Sequence, residues 1–338
     1  MSLLNRRRVL IGAGAAIVAG GVAGGIWWSQ RPEEQGSTTA ISLRLAWIPQ
    51  ATFSGDYAAE LKGFWRDRNL TVTINPGGFQ YDSIRLVAAK TDFIGIASWP
   101  EVLEARANGV PIVAVGVVIP DSPIVWVAKA ESGISTPQDF IGKKVGSQVG
   151  TLTEITLEAL FARLNLPLNR IERVPMQFDY QPFLSGALDV APCYIIDQVV
   201  GFRRQGIALN IIDPRPHGIN LGPGNLYFVH QDSLRERPEV IRQFLAGAAA
   251  GWQYANANRD EVSRYIARFA EGVGADALKA QMDAVFEFIG AREGYPGTFP
   301  ISQSAIATTA QTLKRYGTLR SNFDESSMWD NSLLLAGS

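Results

Sequence analysis

A single cysteine, Cys193, stands in 338 residues. A lone thiol forms no internal disulfide and builds no cysteine-rich metal site, so Cys193 reads as a small buried hydrophobe. Histidine is almost as scarce, with His217 and His230 alone, and His230 falls in a predicted strand. The chain contains no P-loop, no convincing nucleophile elbow and no cluster of metal ligands. Catalytic residues, a metal and a cofactor are therefore not expected. The formal net charge is -1, and no basic stripe stands out. Nucleic-acid binding needs clustered Lys and Arg, so no nucleic acid is expected as a partner.

The length allows roughly two or three domains. The apolar fraction, 46%, is ordinary for a globular protein and supports a sizeable core. The N-terminus is unlike the rest. Arg6, Arg7 and Arg8 precede an uncharged stretch from Val9 to Trp28 that carries six glycines. A basic run before an apolar segment is an export pattern, and Arg6-Arg7-Arg8-Val9-Leu10 resembles the twin-arginine signal. The stretch is long enough to span a bilayer as a helix, about 20 residues. No A-x-A cleavage site and no lipoprotein cysteine follows it. Residues 1–40 are thus read as an export signal or membrane anchor plus linker, cleaved or retained as a tether, and the remainder as extracytoplasmic, in the periplasm.

Beyond residue 40, strands alternate with helices. Ile41–Trp47, Leu70–Ile74, Phe93–Ala97 and Ile112–Val118 read as strands, with helices near 55–68, 83–89 and 100–108. The alternation restarts at Ile124–Lys129 and Lys144–Ser147, and continues to Val190–Ile195. A Pro- and Gly-rich stretch covers 213–224, Leu226–His230 is a further strand, and the chain is largely helical from Pro238. This is the pattern of an α/β protein with mainly parallel sheets flanked by helices. We read two lobes: 41–122 with 225–338, and 123–224 inserted between them. The crossings fall near Pro120–Pro123 and Pro223–Tyr227, short Pro- and Gly-rich segments of the kind that serve as hinges.

In open α/β sheets, ligands sit outside the C-terminal strand ends. That rule selects loops carrying Trp47, Gln50, Phe53, Tyr57, Tyr81, Ser98 and Trp99 in one lobe. In the other it selects Gly150, Thr151, Glu154, Tyr180, Tyr194 and Asp197. Phe79 and Phe178 add to the aromatic density. Aromatic faces suit a planar ring. Thr151 with Glu154 also fits a helix capping box; in the other reading, Gly150 and Thr151 offer backbone N–H groups to a polar ligand atom. Asp197 reads either as a helix N-cap or as an acceptor for ring N–H groups.

Several motifs stand in order along the chain. They are Leu45-Ala46-Trp47-Ile48-Pro49-Gln50, Gly55-Asp56-Tyr57-Ala58-Ala59, Lys62-Gly63-Phe64-Trp65 and Phe93-Ile94-Gly95-Ile96-Ala97-Ser98. Further on come Gly109-Val110-Pro111-Ile112-Val113 and Ile134-Ser135-Thr136-Pro137-Gln138-Asp139-Phe140-Ile141-Gly142-Lys143-Lys144-Val145-Gly146. Together they resemble the thiamine-precursor (pyrimidine) solute-binding family, itself akin to nitrate, sulfonate and taurine binding proteins. The resemblance covers nearly all of 41–338. It implies a type II periplasmic-binding-protein fold with a ligand cleft between the lobes. It also implies a monomer that delivers a small planar solute, such as a pyrimidine precursor of thiamine or riboflavin, to ABC permease subunits. There are departures. Phe53 stands where pyrimidine-binding members carry a histidine, and Ala46 where an acidic or amide residue is common. Cys193 stands alone where the related fungal pyrimidine synthases carry a cysteine-rich motif. The alternatives are an anion-binding protein for a sulfonate- or nitrate-like solute, a synthase-like enzyme, and a tethered sensory module.

Overall fold

In a computed structural model, residues 38–334 are described apart from 79, 149, 177–178, 291, 293–294, 298, 317–318 and 320–324. The expected export segment, with Arg6 and Arg7, lies outside the described residues, as do Phe79 and Phe178. Among the described residues, no helix is long and apolar enough to cross a membrane.

The chain starts with β1 (Thr39–Arg44), whose Ile41 and Leu43 point inward at the two-residue period of a strand. A 3-10 turn, Ala51–Phe53, leads into α1 (Ser54–Lys62), which stops at Gly63 in the left-handed region. Then come β2 (Leu70–Asn75), α2 (Ser83–Ala88), β3 (Ile94–Ala97), α3 (Trp99–Ala107) and β4 (Ile112–Ile119). Asp82 caps α2, and a Ser98/Glu101 capping box with Pro100 starts α3. After four residues the chain enters β5 (Ile124–Lys129) and a 3-10 turn, Pro137–Phe140. It continues with β6 (Lys144–Ser147), α4 (Leu152–Arg163), β7 (Glu172–Pro175), α5 (Gln181–Leu184), β8 (Val190–Tyr194), α6 (Gln198–Arg204) and β9 (Leu209–Ile212). It ends with β10 (Asn225–His230), α7 (Gln231–Glu236), α8 (Pro238–Ala257), α9 (Arg259–Ile266), α10 (Ala275–Ile289) and α11 (Gln303–Tyr316).

These strands form two five-stranded sheets, ordered β2-β1-β3-β10-β4 and β7-β6-β8-β5-β9. The α/β class and the helix-flanked sheets agree with the sequence reading. The expectation of mainly parallel sheets holds, with one opposed strand in each. The strand that follows each crossing, β5 or β10, runs against its two neighbours, while the other four in each sheet share one direction. A strand entering from a short crossing has no helix to carry it back to the parallel start, so it pairs antiparallel. Both strands are buried on two faces. Leu226 and Phe228 of β10 join one apolar cluster and Tyr227 and Val229 another. In β5, Ile124, Trp126 and Ala128 face one way, and Val125 and Val127 the other.

The two crossings are bonded to each other. Gly224 donates its N–H to the Ile119 carbonyl at 2.8 Å. Asn220 accepts from the Ser122 N–H at 2.9 Å and donates to Asp121 at 2.8 Å. A Cβ at Gly222 would lie 2.8 Å from the Pro120 carbonyl oxygen, so only glycine allows this approach. Asp121 also accepts from Arg292 at 2.6 Å. Burial works against its charge, but the bonds from Arg292 and Asn220 and the Arg292 and Arg215 charges outweigh it, holding the carboxyl below its ordinary range.

Candidate functional site

The loops after β1 and β2 meet through their backbones. Gly77 donates to the Trp47 carbonyl at 3.0 Å, and a Cβ on Gly77 would lie 2.1 Å from the Leu45 carbonyl oxygen. Glycine is therefore required where the two loops touch. Trp47 is half-buried there, and the neighbouring Ile48 is exposed. Gln50 is half-buried and donates to the Thr52 hydroxyl at 2.9 Å. Tyr81 pairs with Gly78 across the second loop and is 47% exposed. Arg44 lies over the Tyr81 ring, 5.2 Å from its centroid. The same guanidinium is bonded to Asp92 at 2.7 Å and to the Pro76 carbonyl at 2.7 Å. Ser98 is half-buried, and both its N–H and its hydroxyl donate to Glu101.

Three expected site residues of the first sheet lie in the core instead. Phe53, Tyr57 and Trp99 are 1%, 3% and 0% exposed. Phe53 closes the 3-10 turn and joins the apolar cluster with Leu278 and Met282 of α10. Tyr57 stacks under Phe269, ring centroids 5.3 Å apart. Trp99 turns its ring into the cluster of Ala97, Val102 and Leu226. A strand-end position fixes a Cα, whereas the side chain follows the face of the helix it opens. As lining of an open cleft, these three are corrected.

In the second sheet, Glu154 accepts from the Gly150 N–H at 2.7 Å and pairs with Arg173 at 3.2 Å. The Thr151 hydroxyl turns back to the Gln148 carbonyl at 2.6 Å. Neither half of the expected capping box is therefore made: the Thr151 hydroxyl caps no helix N–H, and Glu154 reaches Gly150 rather than Thr151. The Gly150 N–H is likewise engaged rather than open to a ligand. Tyr180 is half-buried, donates to the Pro192 carbonyl at 3.0 Å, and sets its ring edge-on to Phe202.

Tyr194 keeps 44% of its surface open. Burial, then the carboxylates of Glu101 and Asp197, push its hydroxyl up to about 12. Glu101 belongs to α3, beside the first sheet. Asp197 accepts from Gln281 on α10 and from Gln198, both at 2.7 Å. Burial raises its carboxyl above the ordinary range, and the Gln281 bond opposes the rise. The N-cap reading of Asp197 is not met: it caps no helix N–H, and its two oxygens accept from protein amides. Glu101, Gln198 and Gln281 were missed, since an acid or amide on a helix carries no motif of its own.

Among the described residues, Ile48, Tyr81 and Tyr194 are three of the four exposed large hydrophobics, the fourth being Phe269. Ile48 and Tyr81 stand on loops past C-terminal strand ends of the first sheet, and Tyr194 is the last residue of β8 in the second. The arginines tied to these loops, Arg44 and Arg173, are committed to carboxylates. Among the described residues, no group of three or more His, Cys, Asp or Glu is placed to hold a metal ion.

Residues 50–262 match the family described as NMT1/THI5 like. The chain belongs to that family. A relative is the formylaminopyrimidine-binding protein of Halalkalibacterium halodurans, 24% identical over 65% of this chain and 68% of its own length. Another is the riboflavin-binding protein RibY of Chloroflexus aurantiacus, 24% identical over 68% of this chain and 66% of its own length. The chain thus spans about two thirds of each. Among solved structures, the periplasmic aliphatic sulphonate binding protein SsuA of Escherichia coli superposes with a TM-score of 0.66. It is 18% identical over 82% of this chain and 86% of that one. The desulfurization enzyme DSZB superposes at 0.61, 14% identical over 87% and 97% of the two chains. These likenesses establish the periplasmic-binding-protein fold, and the fold alone does not separate binder from enzyme.

Proposed function

We propose that this protein is the solute-binding component of an ABC importer, exported from the cytoplasm and delivering its solute to a membrane permease. It holds a planar heterocycle between two lobes, 41–122 with 225–338 and 123–224, and leaves it unchanged. The observation that carries this reading is that Ile48 and Tyr81, past C-terminal strand ends of the first sheet, and Tyr194, at the C-terminal end of β8 in the second, are all exposed. An exposed aromatic on each side is the arrangement that grips a flat ring. The electrostatics favour a neutral or donor-bearing ring over a sulfonate. Both nearby arginines are spent on carboxylates, Glu101 and Asp197 act on the Tyr194 hydroxyl, and an anion wants a free cation or an open helix N-terminus. Within that class, a thiamine pyrimidine precursor or riboflavin fits the relatives. Catalysis is disfavoured because burial beside Tyr180 pushes the thiol of Cys193 well up, which makes it a poor nucleophile.

A thermal-shift screen against pyrimidines, flavins and alkanesulfonates tests the reading. A solute at 100 times its Kd adds about 2.7 kcal/mol. Stabilisation by a pyrimidine or a flavin alone is expected; stabilisation by sulfonates alone refutes the ligand class.

A further inference from the structure

A hydrogen-bonded run links α10, which packs beside the first sheet, to the loop after β8 in the second. Gln281 donates from Nε2 to Asp197 Oδ1 at 2.7 Å. Asp197 Oδ2 accepts from Gln198 Nε2 at 2.7 Å. Gln198 Oε1 in turn accepts the Tyr194 main-chain N–H at 2.8 Å. The run therefore ends on the residue whose ring stands open between the sheets. Between its ends, Ile196 is buried in the apolar cluster that holds Phe53, Leu278 and Met282.

Away from this run, α6 and α10 separate. A cavity of about 370 Å³ lies between them, lined by Val200, Gly201, Arg204, Gln205, Ala277 and Gln281. Across it, Arg204 Nη1 donates to the Asp276 carbonyl at 3.3 Å. The helices are joined here by specific hydrogen bonds and the buried Ile196 rather than by packed faces. Releasing this contact breaks these bonds and uncovers Ile196.

We infer that Asp197, Gln198 and Gln281 are positioning residues: they fix Tyr194 against the solute and tie the second sheet's loop to α10, so that the ring is in place when the lobes are closed. This rests on the reading that Tyr194 faces the solute. Leucine at 281 keeps most of the volume and removes the donor. Loss of a hydrogen bond to a charged group costs about tenfold or more in an equilibrium.

The test uses Gln281→Leu and Asp197→Asn in a Cys193→Ala background, with spin labels at Asp67→Cys and Glu131→Cys on the two sheets' sides. Without solute, either variant is expected to broaden the label distance or shift it to longer values. An unchanged distribution in both overturns the tie. This arm needs no solute, so it stands apart from any failure of the proposed function. With the solute found by screening, each variant is expected to raise the dissociation rate about tenfold. Gln281→Leu should add little on top of Tyr194→Ala, because both act through one ring. Full additivity, or an unchanged dissociation rate, overturns the positioning role.

Discussion

Replacing Tyr194 with alanine separates a residue that grips solute from one that merely packs. A tyrosine presents about 150–250 Å² when buried, and Tyr194 leaves 44% of its surface open. A solute covering that surface hides on the order of 100 Å², worth about 2.5 kcal/mol at about 25 cal/mol per Å². Covering only half of it while keeping the ring contact still leaves about 1.5 kcal/mol or more. Tyr194→Ala should therefore weaken binding about tenfold to a hundredfold, with little change in the melting temperature of the free protein. Trp99→Ala should do the reverse. Its ring is fully buried among Ala97, Val102 and Leu226, so truncation costs about 3–5 kcal/mol of stability. At about 2 °C per kcal/mol for a chain of this size, the melting point drops by about 6–10 °C. Affinity in the folded remainder should stay within about twofold. Calorimetric titration and differential scanning calorimetry on the same two proteins measure both quantities. A melting-point loss without an affinity loss in Tyr194→Ala would refute the account of the site.

Asp56 is buried under α1, accepts from the Tyr227 hydroxyl at 2.6 Å, and is pushed up to about 7 by burial. From its ordinary 3.8, at about 1.4 kcal/mol per pH unit, its ionisation costs the fold about 4 kcal/mol once the pH passes about 7. The folded state keeps a proton that the unfolded chain loses between 3.8 and about 7, so this contribution to stability falls as pH rises through that window. Urea melts of Asp56→Asn against wild type should show the variant gaining on wild type from about pH 4 to about pH 8; a constant difference contradicts the assignment. Gly222→Ala places a Cβ 2.8 Å from the Pro120 carbonyl and should cost about 1–3 kcal/mol in the same melts, whereas a neutral result means that the crossings do not pack so closely. Replacing Arg6 and Arg7 with lysine should hold the protein in the cytoplasm on fractionation, and normal periplasmic recovery counts against twin-arginine export.

Much of the fold was legible because its punctuation is local. Ile124–Lys129 and Lys144–Ser147 are short runs that follow Pro123 and Gly142 closely, and the structure gives both strands the same bounds. Strand direction was not legible, because β10 reads like any other apolar run and only its place between β3 and β4 makes it antiparallel. Leu209–Ile212 escaped notice because it is short, pairs at the sheet edge with β5, and runs straight into the Pro- and Gly-rich segment. Of the residues the strand-end rule selects, Tyr81 and Tyr194 stand exposed. The rule misplaced Trp99, because a position at the first turn of α3 does not say which face the ring takes. Asp197 was found by the same rule, but its partner Gln281 lies 84 residues away, and no local pattern connects the two.

The central claim is that the protein holds a solute and returns it intact. Titrating the purified protein with the solute chosen by the screen, then analysing the recovered small molecule by mass spectrometry, tests this most directly. The account predicts stoichiometric binding and recovery of the unaltered compound. Recovery of a chemically changed molecule in amounts exceeding the protein would contradict it.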